Sequence, residues 1–201
     1  MPLQPEHPTL FFGTHNRNKA AEVQAMVASH FRLCMAADMP GVAEPEETGK
    51  TLKENALLKA RAYHRATGLP TLADDTGLEV AALGGAPGVH SARYAGPQAG
   101  AEANMQRLLQ ALAGQAHRQA RFRTVFVYID SAGQAHQWEG ILEGHILAAA
   151  RGSQGFGYDP IFCPLGSTRS LAEHSPEEKN AISHRGIALR AFVAWLQAQG
   201  T

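Results

Sequence analysis

Pro70-Thr71-Leu72-Ala73-Asp74-Asp75-Thr76-Gly77-Leu78-Glu79-Val80 sets two adjacent carboxylates where an apolar run breaks off and an alternating one resumes. Pro70 to Ala73 reads as the end of a buried strand, Thr76-Gly77 as a turn, and Leu78-Glu79-Val80 as the next extended piece. In a strand that carried on, Asp74 and Asp75 would face opposite sides, so a shared site requires the chain to turn there, which Gly77 permits. Two carboxylates side by side repel unless a cation lies beside them. A divalent metal answers that need, with one carboxylate as ligand and the other orienting or deprotonating a water. A solvated Asp-Asp turn is the plainer alternative, since turns favour Asp, and the rest of the chain decides between them.

Composition narrows the classes. The 201 residues, 44% hydrophobic, suffice for one sizeable core, and no repeat or linker divides them. Residues 1–8, rich in proline, read as a flexible tail, and 9–201 as a single domain. Lys plus Arg and Asp plus Glu each number 18, and no run of like charge marks a nucleic-acid groove or a membrane patch. An anionic ligand must therefore be met by a few local cations. No stretch approaches the roughly 20 apolar residues of a membrane span, and the N-terminus lacks a basic segment followed by an apolar run. Cys34 and Cys163 sit in apolar surroundings without Cys-x-x-Cys spacing, which suits reduced packing residues of a cytoplasmic protein.

Moving back from the acidic pair, Thr9 to Gly13 is a short apolar strand, and the loop Thr14-His15-Asn16-Arg17-Asn18-Lys19 leads into a helical pattern from Ala20 to His30. A helix start of this kind offers N–H groups and a partial positive charge to a phosphate, although the Walker glycine pattern is absent. Arg32 to Ala37 reads as a second strand, followed by an acidic loop from Glu44 to Gly49. Thr51-Leu52-Lys53-Glu54 is a capping box that opens a helix running to about Thr67. On it Asn55 and Lys59, four apart, share one face, as do Lys59 and Tyr63; taken alone, such a face is expected to be solvated.

Beyond the pair, Leu83 to Gly96 carries too many glycines for a helix or strand and reads as a tight loop in close approach to a ligand or a second subunit. Gln98 to Ala113 is an amphipathic helix with Met105, Leu108, Leu109 and Leu112 inward. Arg121 to Asp130 is the most strand-like run, and Asp130-Ser131-Ala132-Gly133 turns it back into Gln134 to Leu147, a pair expected in the centre of the sheet. In Gly152 to Phe162 the aromatic Phe156 lies between two glycines, either folded into the core or covered by a flat base. Ser175-Pro176-Glu177-Glu178 is a second capping box. The last helix begins at Ser183-His184-Arg185 and turns Ile187, Leu189, Phe192, Val193 and Leu196 inward.

Together these stretches resemble the inosine/xanthosine triphosphate pyrophosphatase family. The resemblance runs from Thr14 almost to the C-terminus and is carried by Ala73 to Leu78, by Gly84 to Gly88 with Ser91 to Tyr94, by Gly155 to Pro160, and by Glu178 to Arg185. It implies an α/β fold, a long mixed β-sheet flanked by helices, in two lobes with an active-site cleft between them. It also implies a homodimer, a Mg²⁺ requirement, and hydrolysis of ITP, dITP or XTP to the monophosphate and pyrophosphate. By resemblance, Thr14, Asn16 and Lys19 contact the triphosphate, Glu47 and Asp74 bind magnesium, and Lys59 neutralises phosphate charge. Asp75 takes the proton of the attacking water and shares the metal. Thr76 stands where serine is usual, with the hydroxyl kept. Phe156 stacks on the purine, Gly157, Tyr158 and Asp159 complete that wall, and Lys179, His184 and Arg185 hold the base edge and phosphates. His15, Arg17 and Asn18 depart from the smaller residues usual in the first loop.

The chemistry fits these residue types independently of the resemblance. Attack on a phosphorus of a highly charged triphosphate needs charge neutralisation and an oriented water. Hypoxanthine and xanthine present a 6-carbonyl where adenine presents an amino donor, so a site of N–H donors rejects ATP; rejecting GTP needs a further element against its 2-amino group. Two other classes compete. Asp75-Thr76-Gly77 after an apolar strand resembles an aspartic-protease loop, which needs a second such loop to share a proton, and the same residues could serve a nucleotide sensor that binds without cleaving.

Overall fold

The computed structural model describes residues 7–39 and 41–199. The first six residues of the expected tail, and the last two of the expected domain, lie outside the described residues. The elements run β1 (Thr9–Phe12), α1 (Arg17–Val27), β2 (Arg32–Met35), α2 (Leu52–Thr67), β3 (Thr71–Val80), β4 (Pro87–Gly88), α3 (Ala101–Ala111), β5 (Gln119–Ile129), β6 (Ala135–Ile146), β7 (Phe162–Pro164), α4 (Pro176–Ile182) and α5 (His184–Ala198). The fold is α/β. The strands form one mixed sheet in the order β2-β1-β3-β5-β6-β7, with β4 paired to β3. β1 runs parallel to β2 and β3, whereas β4 is antiparallel to β3 and β7 to β6. β5 and β6 are thus interior strands, as their sequence pattern predicts.

One expectation at the centre of the chain fails. Thr76 and Gly77 do not turn: β3 runs unbroken from Thr71 to Val80 and is buried along most of its length. Asp and Gly favour turns in isolation, but here the strand has sheet neighbours for its backbone and apolar side chains at both ends. The glycine-rich segment after it also differs from a pure loop. It holds the two-residue β4 and short 3-10 turns at Ala81–Leu83 and Ser91–Arg93. Ser91 ties this segment to β3, its Oγ accepting from Leu78 N at 2.8 Å and donating to Gly88 O at 2.6 Å.

Contacts divide the chain into two units. The first contains residues up to Asp75, Val125–Trp138 and the chain from Ala188 on; the second contains Thr76–Thr124 and Glu139–Ile187. The first unit packs Leu10 and Phe12 of β1, Val23 and Val27 of α1, Leu72 of β3, Phe126 and Tyr128 of β5, and Leu189, Phe192 and Leu196 of α5 into one core. A smaller cluster in the same unit joins Phe11, Ala36 and Tyr63. The second unit packs Leu78 and Val80 against Leu108 of α3, Leu112 just beyond its end, Phe122, Ile146, Tyr158, Ile161, Phe162 and Leu171. Ile187, expected to face inward from α5, is 37% exposed instead.

Both capping boxes form as read. Thr51 Oγ1 accepts from Glu54 N while Glu54 returns to Thr51 N, and Ser175 and Glu178 do the same for α4 with Pro176 in its first turn. Such caps satisfy N–H groups that a helix start leaves open, each worth about 1 kcal/mol. They matter here because α2 and α4 carry Lys59 and Lys179.

Candidate active site

In the first unit the acidic pair is met by cations from two helices. Although β3 continues through the pair, the two carboxylates share their cations: Lys59 feels both Asp74 and Asp75, and Lys19 acts on Asp75 as well as pairing with Asp74. Asp74 Oδ2 accepts from Lys19 Nζ of α1 at 2.7 Å. Asp75 Oδ2 accepts from Asn55 Nδ2 of α2 at 3.1 Å, and its Oδ1 lies 3.8 Å from Lys59 Nζ. Lys59 Nζ also donates to Glu47 Oε1 at 2.6 Å, tying the acidic loop to α2. The face of α2 that sequence alone reads as solvated is therefore buried, with Asn55 at 0% and Lys59 at 6% exposure. Asn55 is the residue the sequence reading passed over. It fixes both partners, since its Oδ1 accepts from Gly49 N at 2.8 Å in the loop that carries Glu47. Its spacing of four from Lys59 is the signal that marks it.

Electrostatics follows from this packing. Burial would push the Lys59 ammonium down, but the carboxylates of Asp74, Asp75 and Glu47 outweigh it and hold its pKa above the ordinary lysine value. Burial raises the Asp75 carboxyl, and Glu47 adds to the rise; Lys59, Asn55 and Lys19 oppose it without cancelling it. A carboxylate held high in this way is better suited to accept a proton than one on the surface.

The phosphate-type loop is also in this unit. Asn16 Oδ1 caps α1 by accepting from Asn18 N and Lys19 N, and Thr14 Oγ1 accepts from Asn16 N at 3.1 Å. Two of the N–H groups that a phosphate would use are thus taken by the cap, which leaves side chains such as Lys19 to meet an anionic ligand. Glu47, Asp74 and Asp75 are all oxygen donors of the kind magnesium takes. Among the described residues, no three His, Cys, Asp or Glu side chains are gathered closely enough to hold a metal by themselves. Magnesium is commonly held by one or two carboxylates together with substrate phosphates and water, and that requirement these residues fit.

The second unit gathers an aromatic ring and two cations. Phe156 lies between Gly155 (φ +74°) and Gly157 (φ +64°), whose left-handed backbone only glycine adopts without strain. Its ring is half-buried, with Lys179 Nζ 4.5 Å and Arg185 Cζ 5.5 Å from its centroid. What covers part of this ring is therefore a pair of cations rather than the core. Asp159 organises the group: its Oδ2 accepts from Phe156 N at 2.8 Å and from Lys179 Nζ at 2.6 Å. A side chain at Gly155 would collide with that carboxylate. Both members of the Asp159–Lys179 pair are 5% exposed at the side chain.

The remaining residues of this unit take differing places. His184 is buried and stacked on Phe122, ring centroids 4.7 Å apart and planes 13° apart. Arg185 is 2% exposed in all. The Tyr158 ring belongs to the core and its hydroxyl donates to Ser91 O at 2.8 Å, which leaves backbone rather than side chain for any ligand. Thr76 Oγ1 shares a hydrogen bond of 2.6 Å with Thr124 Oγ1, a partner with no signal in the sequence. Asp75-Thr76-Gly77 lies wholly within β3 and so does not build the loop an aspartic protease requires.

A model of the Ham1 family matches residues 10–195. The chain belongs to the Ham1 family. The Ham1 chain is 49% identical over 181 residues to the dITP/XTP pyrophosphatase of Porphyromonas gingivalis, covering 90% of this chain and 93% of the relative. It is 46% identical over 187 residues to the protein of that name from Christiangramia forsetii, covering 93% and 98%. Among solved structures, a HAM1 protein from Coxiella burnetii superposes with a TM-score of 0.87 at 40% identity, covering 95% of this chain and 99% of that one. The Staphylococcus aureus Ham1 protein superposes with a TM-score of 0.86 at 34% identity. Among the described residues of the Ham1 chain, no helix is long and apolar enough to cross a membrane.

Proposed function

We infer that this Ham1-family chain hydrolyses deaminated purine nucleoside triphosphates, ITP, dITP and XTP, to the monophosphate and pyrophosphate, and so clears them from the nucleotide pool. Relatedness along nearly the whole chain to proteins named dITP/XTP pyrophosphatase carries this reading. The side chains support it, because the chain supplies both what a triphosphate needs and what a purine needs. Asp75, raised by burial and steadied by Asn55, is the group we assign to accept the proton of the attacking water. Lys19 and Lys59 neutralise phosphate charge, with Thr14 and Asn16 shaping the loop around it. Phe156 is the stacking surface for the base, and Lys179, His184 and Arg185 are the donors for its 6-carbonyl and for phosphate oxygens. Asp159 holds Phe156 and Lys179 in place, while Thr76, Gly157 and Tyr158 shape the wall.

Glu47, Asp74 and Asp75 would hold Mg²⁺, which supplies charge neutralisation at the phosphates and a more acidic water. The selectivity follows from donor chemistry: adenine would set its 6-amino group against Lys179 and Arg185, facing donor with donor, at about 1–3 kcal/mol or more. We also propose a homodimer, as the family resemblance implies, and a cytoplasmic location, which the two free cysteines favour. Phosphorus NMR of ITP incubated with enzyme and Mg²⁺ tests the reaction. IMP and pyrophosphate are expected, and IDP with orthophosphate would overturn the assignment. Asp75→Asn separates this reading from a nucleotide sensor. It should retain nucleotide binding and lose most turnover, and hydrolysis at the wild-type rate would remove Asp75 from its role.

A further inference from the structure

The carboxylates assigned above to magnesium are all engaged by lysines of the same unit. Lys59 Nζ is 2.6 Å from Glu47 Oε1 and 3.8 Å from Asp75 Oδ1, and Lys19 Nζ is 2.7 Å from Asp74 Oδ2. Lys59 and both aspartates are buried. Two ammonium charges thus stand against three carboxylate charges, where the bare carboxylates would present three negative charges to a divalent ion. A cation approaching this group meets both a reduced negative charge and two like charges within a few ångströms. The same lysines are the ones that phosphate oxygens would attract.

We propose that Lys59 and Lys19 are place-holders for the divalent ion: in the nucleotide-free protein they neutralise Glu47, Asp75 and Asp74, and they pass to the phosphates when the triphosphate enters. Metal and triphosphate are then taken up together, and the carboxylates are not left to bind a stray ion in between. The proposal rests on the pyrophosphatase reading and adds to it an order of events and a role for each lysine before substrate arrives.

The test is the binding of Mn²⁺, a spin-active substitute for magnesium, followed by electron paramagnetic resonance of the free ion. Wild type, Lys59→Met and Lys19→Met are titrated alone and with the non-hydrolysable α,β-methylene analogue of ITP. Wild type should bind Mn²⁺ weakly alone and much more tightly with the analogue. Each methionine variant should bind it more tightly than wild type in the absence of nucleotide, by at least about tenfold, or about 1.4 kcal/mol, and should gain less from the analogue. Unchanged or weaker nucleotide-free affinity in the variants would overturn the proposal. If Lys59→Met does not fold, as circular dichroism reports, Lys19→Met decides alone, because Lys19 reaches solvent and its loss disturbs packing less. Pyrophosphate release from ITP by wild type is measured alongside. Release with unaltered variant affinities sinks only the place-holder role, whereas no release sinks the pyrophosphatase reading itself.

Discussion

Replacing Asp159 by asparagine keeps the shape of the side chain and removes its charge, and the structure says what that should do. The Asp159 carboxylate is almost wholly buried and accepts from Lys179 Nζ at 2.6 Å and from Phe156 N at 2.8 Å. Asparagine can still accept from Phe156 N through its own oxygen, but it leaves the buried Lys179 ammonium without its counter-ion. Breaking a buried ion pair from one side costs about 3–5 kcal/mol, mostly through the charge left behind. Removing that charge as well should restore much of the loss, so Asp159→Asn combined with Lys179→Met should be more stable than Asp159→Asn alone. Urea unfolding of wild type, both single variants and the double variant closes the cycle. If Asp159→Asn cost under about 1 kcal/mol, or if the two changes were simply additive, the two side chains would not be the coupled buried pair described above, and the positioning of Phe156 would need another cause.

Three further outcomes follow from single side chains. Phe156→Ala should raise the Michaelis constant for ITP, base stacking on an aromatic ring being worth about 1–3 kcal/mol; an unchanged constant would exclude Phe156 as the base platform. The Tyr63 hydroxyl is buried with no hydrogen-bond partner among the described residues, so Tyr63→Phe should leave stability unchanged or raise it by up to about 1–3 kcal/mol, and a lowered urea midpoint would show that the hydroxyl is satisfied. Asp130 closes the turn between β5 and β6, its Oδ1 accepting from Ala132 N and Gln134 N and its Oδ2 bonded to His136 Nε2. Burial is the largest single influence and raises its pKa, but His136 and these backbone donors together outweigh it and hold the carboxyl below its ordinary value. A depressed carboxyl stabilises the fold above its unfolded pKa and loses that contribution as pH falls through its folded one. Asp130→Ala should therefore be about 1–2 kcal/mol less stable than wild type near neutrality, and the gap should close below the usual carboxylate range; a gap independent of pH would contradict this.

Much of this protein can be read from its sequence where local rules and tertiary packing agree. The two capping boxes, the inward face of α3 and the strand-like run of β5 are set by side chains within a few residues of one another. The reading fails where distant partners decide. Thr76-Gly77 looks like a turn until β1, β4 and β5 are known to flank β3. Asn55 and Lys59 look solvated until their partners, Asp75 and Glu47, are brought to the same face of α2. For the candidate site, the residue types are legible one by one, but their division of labour is not. That Asp159 is spent on Lys179 and Phe156, that Asn16 caps α1, and that the Tyr158 ring enters the core depend on geometry no spacing encodes.

The central claim is that these residues select and hydrolyse deaminated purine triphosphates, and the most direct measurement is pyrophosphate release from ITP, XTP, dITP, ATP and GTP, each with Mg²⁺ and with a chelator. Fast release from the first three, slow release from ATP and GTP, and loss of all release with the chelator is the predicted result. Equal rates on all five would contradict the base selection assigned to Phe156, Lys179 and Arg185, and rapid release in the chelator would contradict the role given to Glu47, Asp74 and Asp75.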